Sequence, residues 1–151
     1  HRRPVLVDPK GRDFSQYAHA TMLTPNCAEL ARIVVAWQGE QELADKVHAL
    51  RRELSLRSLL LTRSADGMTL YDDAGARHCP AQAREVFDVC GAGDTVIAVL
   101  AGLLASGVPC DKAMEIANHA AGIAVGKLGT AAVDYDELFA GTTGLAPTLM
   151  S

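Results

Sequence analysis

Gly91-Ala92-Gly93-Asp94 holds the densest chemistry in this sequence. Two glycines one residue apart permit a tight turn at little steric cost. The strand-like run Val86-Phe87-Asp88-Val89 precedes the turn, and a helical pattern from Thr95 through Ser106 follows it. The first amides of a helix have no internal partners. Helped by the positive helix end, they can hold phosphate oxygens. A carboxylate adds nothing to phosphate binding at such a place, but it suits a base. Asp94 would take the proton of an attacking hydroxyl while the first helix amides stabilise charge on a transferring phosphoryl group. The plainer alternative is an ordinary turn, with Asp94 merely stabilising its helix. Valine in place of Gly93 is expected to crowd both the fold and the phosphate.

The run differs from two commoner phosphate-binding patterns. No Lys follows it, as GxxxxGK[ST] requires. Val96 stands where the third glycine of GxGxxG would fall, which argues against a dinucleotide oxidoreductase. Asn26 and Glu29 have the spacing of a capping box, which predicts a helix from there to about Ala36. Cys27, Cys79, Cys90 and Cys110 lack CxxC spacing, so a reducing cytoplasm is the simpler compartment. Cys90 reads as a small hydrophobe.

These groups need strands and helices to position them. Val5-Leu6-Val7 and Met22-Leu23-Thr24 read as short strands, the first stopped by Asp8-Pro9-Lys10-Gly11. Leu43, Val47, Leu50 and Leu54 repeat at helical spacing within Glu40 to Leu54, with Glu42 and Lys46 as an i,i+4 pair. Arg51-Arg52, flanked by Glu53, reads as a solvated helix face. Leu59-Leu60-Leu61 is a strand, Ala65-Asp66-Gly67 a turn, and Met68 to Tyr71 its hairpin partner. Asp73-Ala74-Gly75 turns the chain again, and Ala76 to Cys79 returns. Asp111 can cap a helix reaching about Lys127. Its inner face carries Ala113, Ile116, Ala117, Ala120, Ala124 and Val125, and so many alanines imply close backbone approach. Tyr135 to Ala140 forms a last short helix, and the tail 141–151 reads as loose. Alternating strands and helices predict an α/β fold, a mainly parallel sheet flanked by helices.

The 151 residues, 49% hydrophobic, suit one compact domain or a large piece of one. A net charge of -4 gives no general field for nucleic acid. The longest apolar runs fall short of the ~20 residues that a membrane span needs, so no membrane partner is expected. The start, His1-Arg2-Arg3-Pro4, runs straight into a buried-type strand, which predicts further sequence upstream.

Asp88-Val89-Cys90-Gly91-Ala92-Gly93-Asp94-Thr95 resembles the C-terminal signature D-x-x-G-A-G-D-x of the ribokinase-like (PfkB) carbohydrate kinases. The resemblance implies transfer of a phosphoryl group from ATP, with Mg²⁺, to a sugar hydroxyl. Asp94 would be the general base, and Gly91, Ala92 and Gly93 the anion hole. Asn26-Cys27-Ala28-Glu29 fits the family's N-x-x-E motif, which organises Mg²⁺ and the phosphates largely through water. Thr62 to Gly67 resembles the nucleotide-side T-x-G-x-x-G loop, with Ser64 in place of its first glycine. Asn118 matches a segment lining the adenine pocket, while its neighbour His119 alone reads as a surface or packing residue. Lys10 follows the strand end near the nucleotide and could meet a phosphate.

Within the family, VDPKG, LTPN, LTRSADGMTLY, DVCGAGDTVIA and GKLGTAAV are similar to the D-glycero-β-D-manno-heptose 7-phosphate kinases. That implies phosphorylation of the anomeric hydroxyl to the 1,7-bisphosphate, toward the ADP-heptose of lipopolysaccharide. It also implies a cytoplasmic enzyme and a possible homodimer. By the same resemblance, residues 1–151 are the C-terminal nucleotide-binding part, and the N-terminal part supplies the sugar site and lid. The chain alone is then expected to be weakly active or inactive. Alternatives are a related kinase for another sugar or nucleoside, and a non-catalytic nucleotide-binding fragment.

Overall fold

The computed structural model describes residues 3–82, 91–127 and 132–140. The chain divides into two compact units, His1–Pro80 and Ala81–Ser151.

The first unit is built on a five-stranded sheet in the order β1-β2-β3-β4-β5. Its strands are β1 (Leu6–Val7), β2 (Met22–Leu23), β3 (Ser58–Thr62), β4 (Met68–Asp72) and β5 (Gly75–Cys79). The pairs β1–β2 and β2–β3 are parallel, whereas β3–β4 and β4–β5 are antiparallel. The sheet is therefore mixed. Its parallel half arises where helical or irregular segments cross over, and its antiparallel half where tight turns leave no room for a crossover. Leu59, Leu60 and Leu61 are all buried, the run expected of a strand covered on both faces.

Two helices lie between β2 and β3. The first, α1, spans only Cys27–Leu30, shorter than the expected helix to Ala36. The consecutive Ile33-Val34-Val35 lose side-chain freedom in a helix. The carbonyls of Val35 and Ala36 instead accept hydrogen bonds from Lys46 Nζ at 3.0 and 2.6 Å. The second helix, α2 (Gly39–Glu53), follows its predicted pattern. Leu43, Val47, Leu50 and Leu54 are buried against Leu23, Leu30, Leu59, Leu61 and Tyr71 in one cluster. On its wet side Lys46 pairs with Glu42 at 2.7 Å.

Arg51 is not on the solvated face expected of it. It is 6% exposed, because its guanidinium reaches the carbonyl of Arg57 at 3.0 Å and Asp73 Oδ1 at 2.6 Å, in the β4–β5 turn. Arg52 is exposed as expected.

The second unit contains α3 (Ala92–Ala105), α4 (Cys110–Val125) and α5 (Tyr135–Phe139). Helices α3 and α4 pack together, and α5 contacts α4. The buried face of α4 comprises Ala113, Met114, Ile116, Ala117, Asn118, Ala120 and Ala124, while Val125 is only partly covered. Four alanines on that face let neighbouring backbone approach closely. Asp111 does not cap α4. The helix begins at Cys110 with Pro109 as its N-cap, which puts Asp111 in the first turn. There its charge still favours the positive helix end. The predicted strand Val86–Val89, Cys90 and the tail 141–151 lie outside the described residues.

No helix among the described residues is long and apolar enough to cross a membrane.

Candidate functional site

Since β1, β2 and β3 run parallel, their carboxyl ends share one edge, where open α/β sheets place their ligands. Asp8 and Lys10 follow β1, Asn26 follows β2, and Thr62 ends β3. Asn26 and Thr62 form an isolated parallel bridge. The Thr62 amide donates to the Pro25 carbonyl at 3.0 Å, and the Cys27 thiol lies 3.7 Å from the Thr62 carbonyl. Burial pushes the Cys27 thiol pKa up, so it stays protonated and suits that donor role.

The capping box expected from spacing is fully made. The Glu29 amide donates to Asn26 Oδ1 at 2.8 Å, and the Asn26 amide donates to Glu29 Oε2 at 2.9 Å. The second Glu29 oxygen, Oε1, accepts from Lys10 Nζ at 2.7 Å. Lys10 also lies 2.9 Å from Asp8 Oδ2. Hydrogen bonds to Glu29 first, and to Asp8 next, hold the Lys10 ammonium above the usual lysine range. Asp8, expected only as part of the strand end Asp8-Pro9-Lys10, is also a member of this group.

Among the described residues no three His, Cys, Asp or Glu side chains converge as direct metal ligands. A hydrated divalent cation nevertheless fits the donor chemistry. Each Glu29 oxygen is engaged once by protein and keeps acceptor capacity for a cation-bound water. Magnesium retains several waters in such sites.

The loop after β3 is a 3-10 turn over Ser64–Asp66, closed by the Arg63 amide to the Gly67 carbonyl at 2.8 Å. Gly67 has φ 88 and ψ -130, open only to glycine. Ser64 stands where the resembling motif has a glycine, and its φ of 51 is left-handed. The serine thus adopts a conformation that favours glycine. Arg63 was not predicted as part of this loop's support. Its guanidinium contacts Glu40 at the start of α2 and Thr69 Oγ1 at 3.3 Å.

In the second unit, helix α3 starts three residues before the predicted Thr95. Gly91 is its N-cap with φ 79, a left-handed turn that explains a glycine there. Ala92, Gly93 and Asp94 fill the first turn. Helix geometry leaves their amides without internal partners, while the Thr95 amide and hydroxyl both donate to the Gly91 carbonyl, at 2.9 and 3.0 Å. Asp94 is exposed, and among the described residues its carboxylate takes no partner. A Cβ at Gly93 would meet nothing within 4 Å among them. Among the described residues there is therefore room for a single methyl group at that position. On α4, Asn118 is 3% exposed, and the half-buried His119 ring nitrogen lies 3.0 Å from Gln82 Oε1.

The sequence profile described as pfkB family carbohydrate kinase matches residues 1–137. The chain is 53% identical over 138 residues to the D-beta-D-heptose 7-phosphate kinase of Bordetella bronchiseptica, covering 91% of this chain and 44% of that protein. It is 55% identical over 136 residues to the bifunctional protein HldE of Alcanivorax borkumensis, covering 89% of this chain and 29% of that protein. Its backbone is similar to the ribokinase of Arabidopsis thaliana complexed with ribose and ATP. There the TM-score is 0.73 at 24% identity, over 84% of this chain and 43% of that one. The chain thus spans less than half the length of each of these proteins.

Proposed function

The chain belongs to the pfkB family of carbohydrate kinases, and we propose that it carries the nucleotide side of a heptose 7-phosphate kinase. The reaction would move the γ-phosphoryl group of ATP to the anomeric hydroxyl of D-glycero-β-D-manno-heptose 7-phosphate, giving the 1,7-bisphosphate on the way to ADP-heptose. The observation that carries this reading is the start of α3, where an exposed carboxylate follows three residues of left-handed turn and open helix.

In the step itself, the sugar oxygen bonds to the γ-phosphorus, and the bond from that phosphorus to the bridging oxygen breaks. ADP leaves with the electron pair, and Asp94 receives the hydroxyl proton. The amides of Gly91, Ala92 and Gly93 stabilise charge on the transferring group. Mg²⁺, when bound, neutralises charge across the phosphates. Asn26 and Glu29 would hold its water shell, and Lys10 would meet a phosphate oxygen. Thr62 and Gly67 shape the nucleotide-side loop, and Asn118 belongs to the adenine wall. An ATP-dependent step of this kind belongs in the cytoplasm. The identity to the Bordetella heptose 7-phosphate kinase supports the choice of sugar.

The test is Asp94→Asn in the full gene product, assayed with ATP and heptose 7-phosphate. Turnover should fall by about 10²- to 10⁴-fold, with affinity for a non-hydrolysable ATP analogue preserved. Equal kcat in variant and wild type rejects Asp94 as the base. Wild-type turnover of another sugar but not of this one rejects the substrate.

A further inference from the structure

Lys10 Nζ lies 2.9 Å from Asp8 Oδ2 and 2.7 Å from Glu29 Oε1. The three side chains differ in freedom. That of Lys10 is 66% exposed, that of Asp8 34% and that of Glu29 10%. Glu29 is further fixed by its reciprocal bonds with Asn26. An exposed cationic tip thus rests between Asp8 and an anchored Glu29, at the strand ends where the nucleotide-side motifs gather.

We propose that Lys10 is an exchangeable counterion, which neutralises Asp8 and Glu29 while the site is empty and transfers to phosphate oxygens when a nucleoside triphosphate arrives with a divalent cation. This rests on the reading of Asn26 and Glu29 given above.

The charges explain why an exchange is needed. Two carboxylates this close to one ammonium repel each other once it leaves, and a nearly buried Glu29 is costly without a compensating charge. Lysine suits the task because its ammonium is a compact charge on a flexible four-carbon stem, free to swing between partners. Once a divalent cation supplies positive charge beside Glu29, Lys10 becomes surplus there as new anionic oxygens come within reach. Nucleotide and cation then favour each other's binding through a single side chain, which is a coupling between two sites. Asp8 sets the strength of that coupling, because it holds Lys10 back. Asp8 is thereby a positioning residue, acting through Lys10.

The test measures equilibrium binding by the full gene product, with thermal unfolding as a check on folding. The probes are a non-hydrolysable ATP analogue, with Mg²⁺ or with chelator, and Mn²⁺ alone followed by electron paramagnetic resonance. Asp8→Asn should leave Lys10 held by Glu29 alone and tighten cation-free nucleotide binding by about five- to tenfold. Lys10→Met should do the opposite to cation-free nucleotide, and should tighten Mn²⁺ binding by a similar factor. Opposite signs in the two variants are the signature of exchange. If both variants weaken every ligand together and lose thermal stability together, the triad only holds the fold and the exchange is wrong. If wild-type protein binds no nucleotide under any condition, the exchange and the kinase reading fall together.

Discussion

Arg63 grips Glu40 through two guanidinium nitrogens, with Nη1 2.9 Å from Oε2 and Nη2 2.5 Å from Oε1. The pair ties the loop after β3 to the first turn of α2, so that loop inherits the rigidity of a helix packed on the core. Its hydrogen bonds with Arg63 hold the Glu40 carboxyl below the usual carboxylate range. A folded-state pKa below the unfolded one contributes stability that is present above the unfolded value of about 4.3 and lost as pH falls through the folded value. Glu40 is 68% exposed, so solvent screening limits the effect to about 0.5–1 kcal/mol. Glu40→Gln should cost that much in urea unfolding near neutral pH, and the difference from wild type should close on acidification through the folded-state pKa. A deficit that persists undiminished in acid would assign the cost to packing instead.

Ser64 occupies a left-handed conformation at φ 51. For a residue with a Cβ this costs about 1–2 kcal/mol, and glycine returns part of the gain through its greater unfolded-state freedom. Ser64→Gly should therefore stabilise the protein by about 0.5–1 kcal/mol, read as a higher Tm. Gly67→Ala, at φ 88, should destabilise by about 1–3 kcal/mol. Equal and opposite effects are not required, but a destabilised Ser64→Gly would mean that the serine hydroxyl matters more than the backbone.

Gly91 and Gly93 should separate in their behaviour. Gly91→Ala forces a side chain into φ 79 and should cost about 1–2 kcal/mol of stability. Gly93→Ala meets open space among the described residues and replaces glycine within a helix, so it should leave Tm unchanged or raise it. Its cost should appear as a KM for ATP raised about tenfold, through steric loss of phosphate approach. An unaltered KM would remove Gly93 from the anion hole.

Asn26 serves as a cap in the structure, and Asn26→Ser separates capping from any further role. Serine caps nearly as well as asparagine, so unfolding free energy should stay within about 0.5 kcal/mol of wild type. If Asn26 also organises a hydrated cation, serine is too short to replace its amide. Turnover should then drop at least about tenfold, and added Mg²⁺ should restore part of it. Full activity in a stable Asn26→Ser protein would reduce Asn26 to its cap.

Helix α2 was legible because Leu43, Val47, Leu50 and Leu54 carry one face through a regular period. The hairpin of β3 and β4 was legible because Gly67 marks its turn. Helix α1 is shorter than its cap implies, since a cap announces a start but the β-branched stop lies farther along, where Lys46 reaches the carbonyls of Val35 and Ala36 from the next helix. The burial of Arg51 has no sequence signal for a related reason. Its partner Asp73 lies 22 residues away, and ion pairs between distant elements leave no periodic trace. The capping pair Asn26 and Glu29 was visible from spacing, yet Asp8 and Lys10 join it only because parallel strands bring their ends together.

Helix α1 is one turn long, and a helix that short cannot nucleate alone in water. Its geometry is borrowed through contacts 19 residues back, to Lys10, and 35 residues ahead, to Thr62. Contacts of that sequence separation wait for loop closure. The corner holding Asn26 and Glu29 therefore assembles late in folding and opens early under native conditions. In hydrogen exchange the Glu29 amide should lose protection well before the interior of α2, and a bound nucleotide should slow that loss.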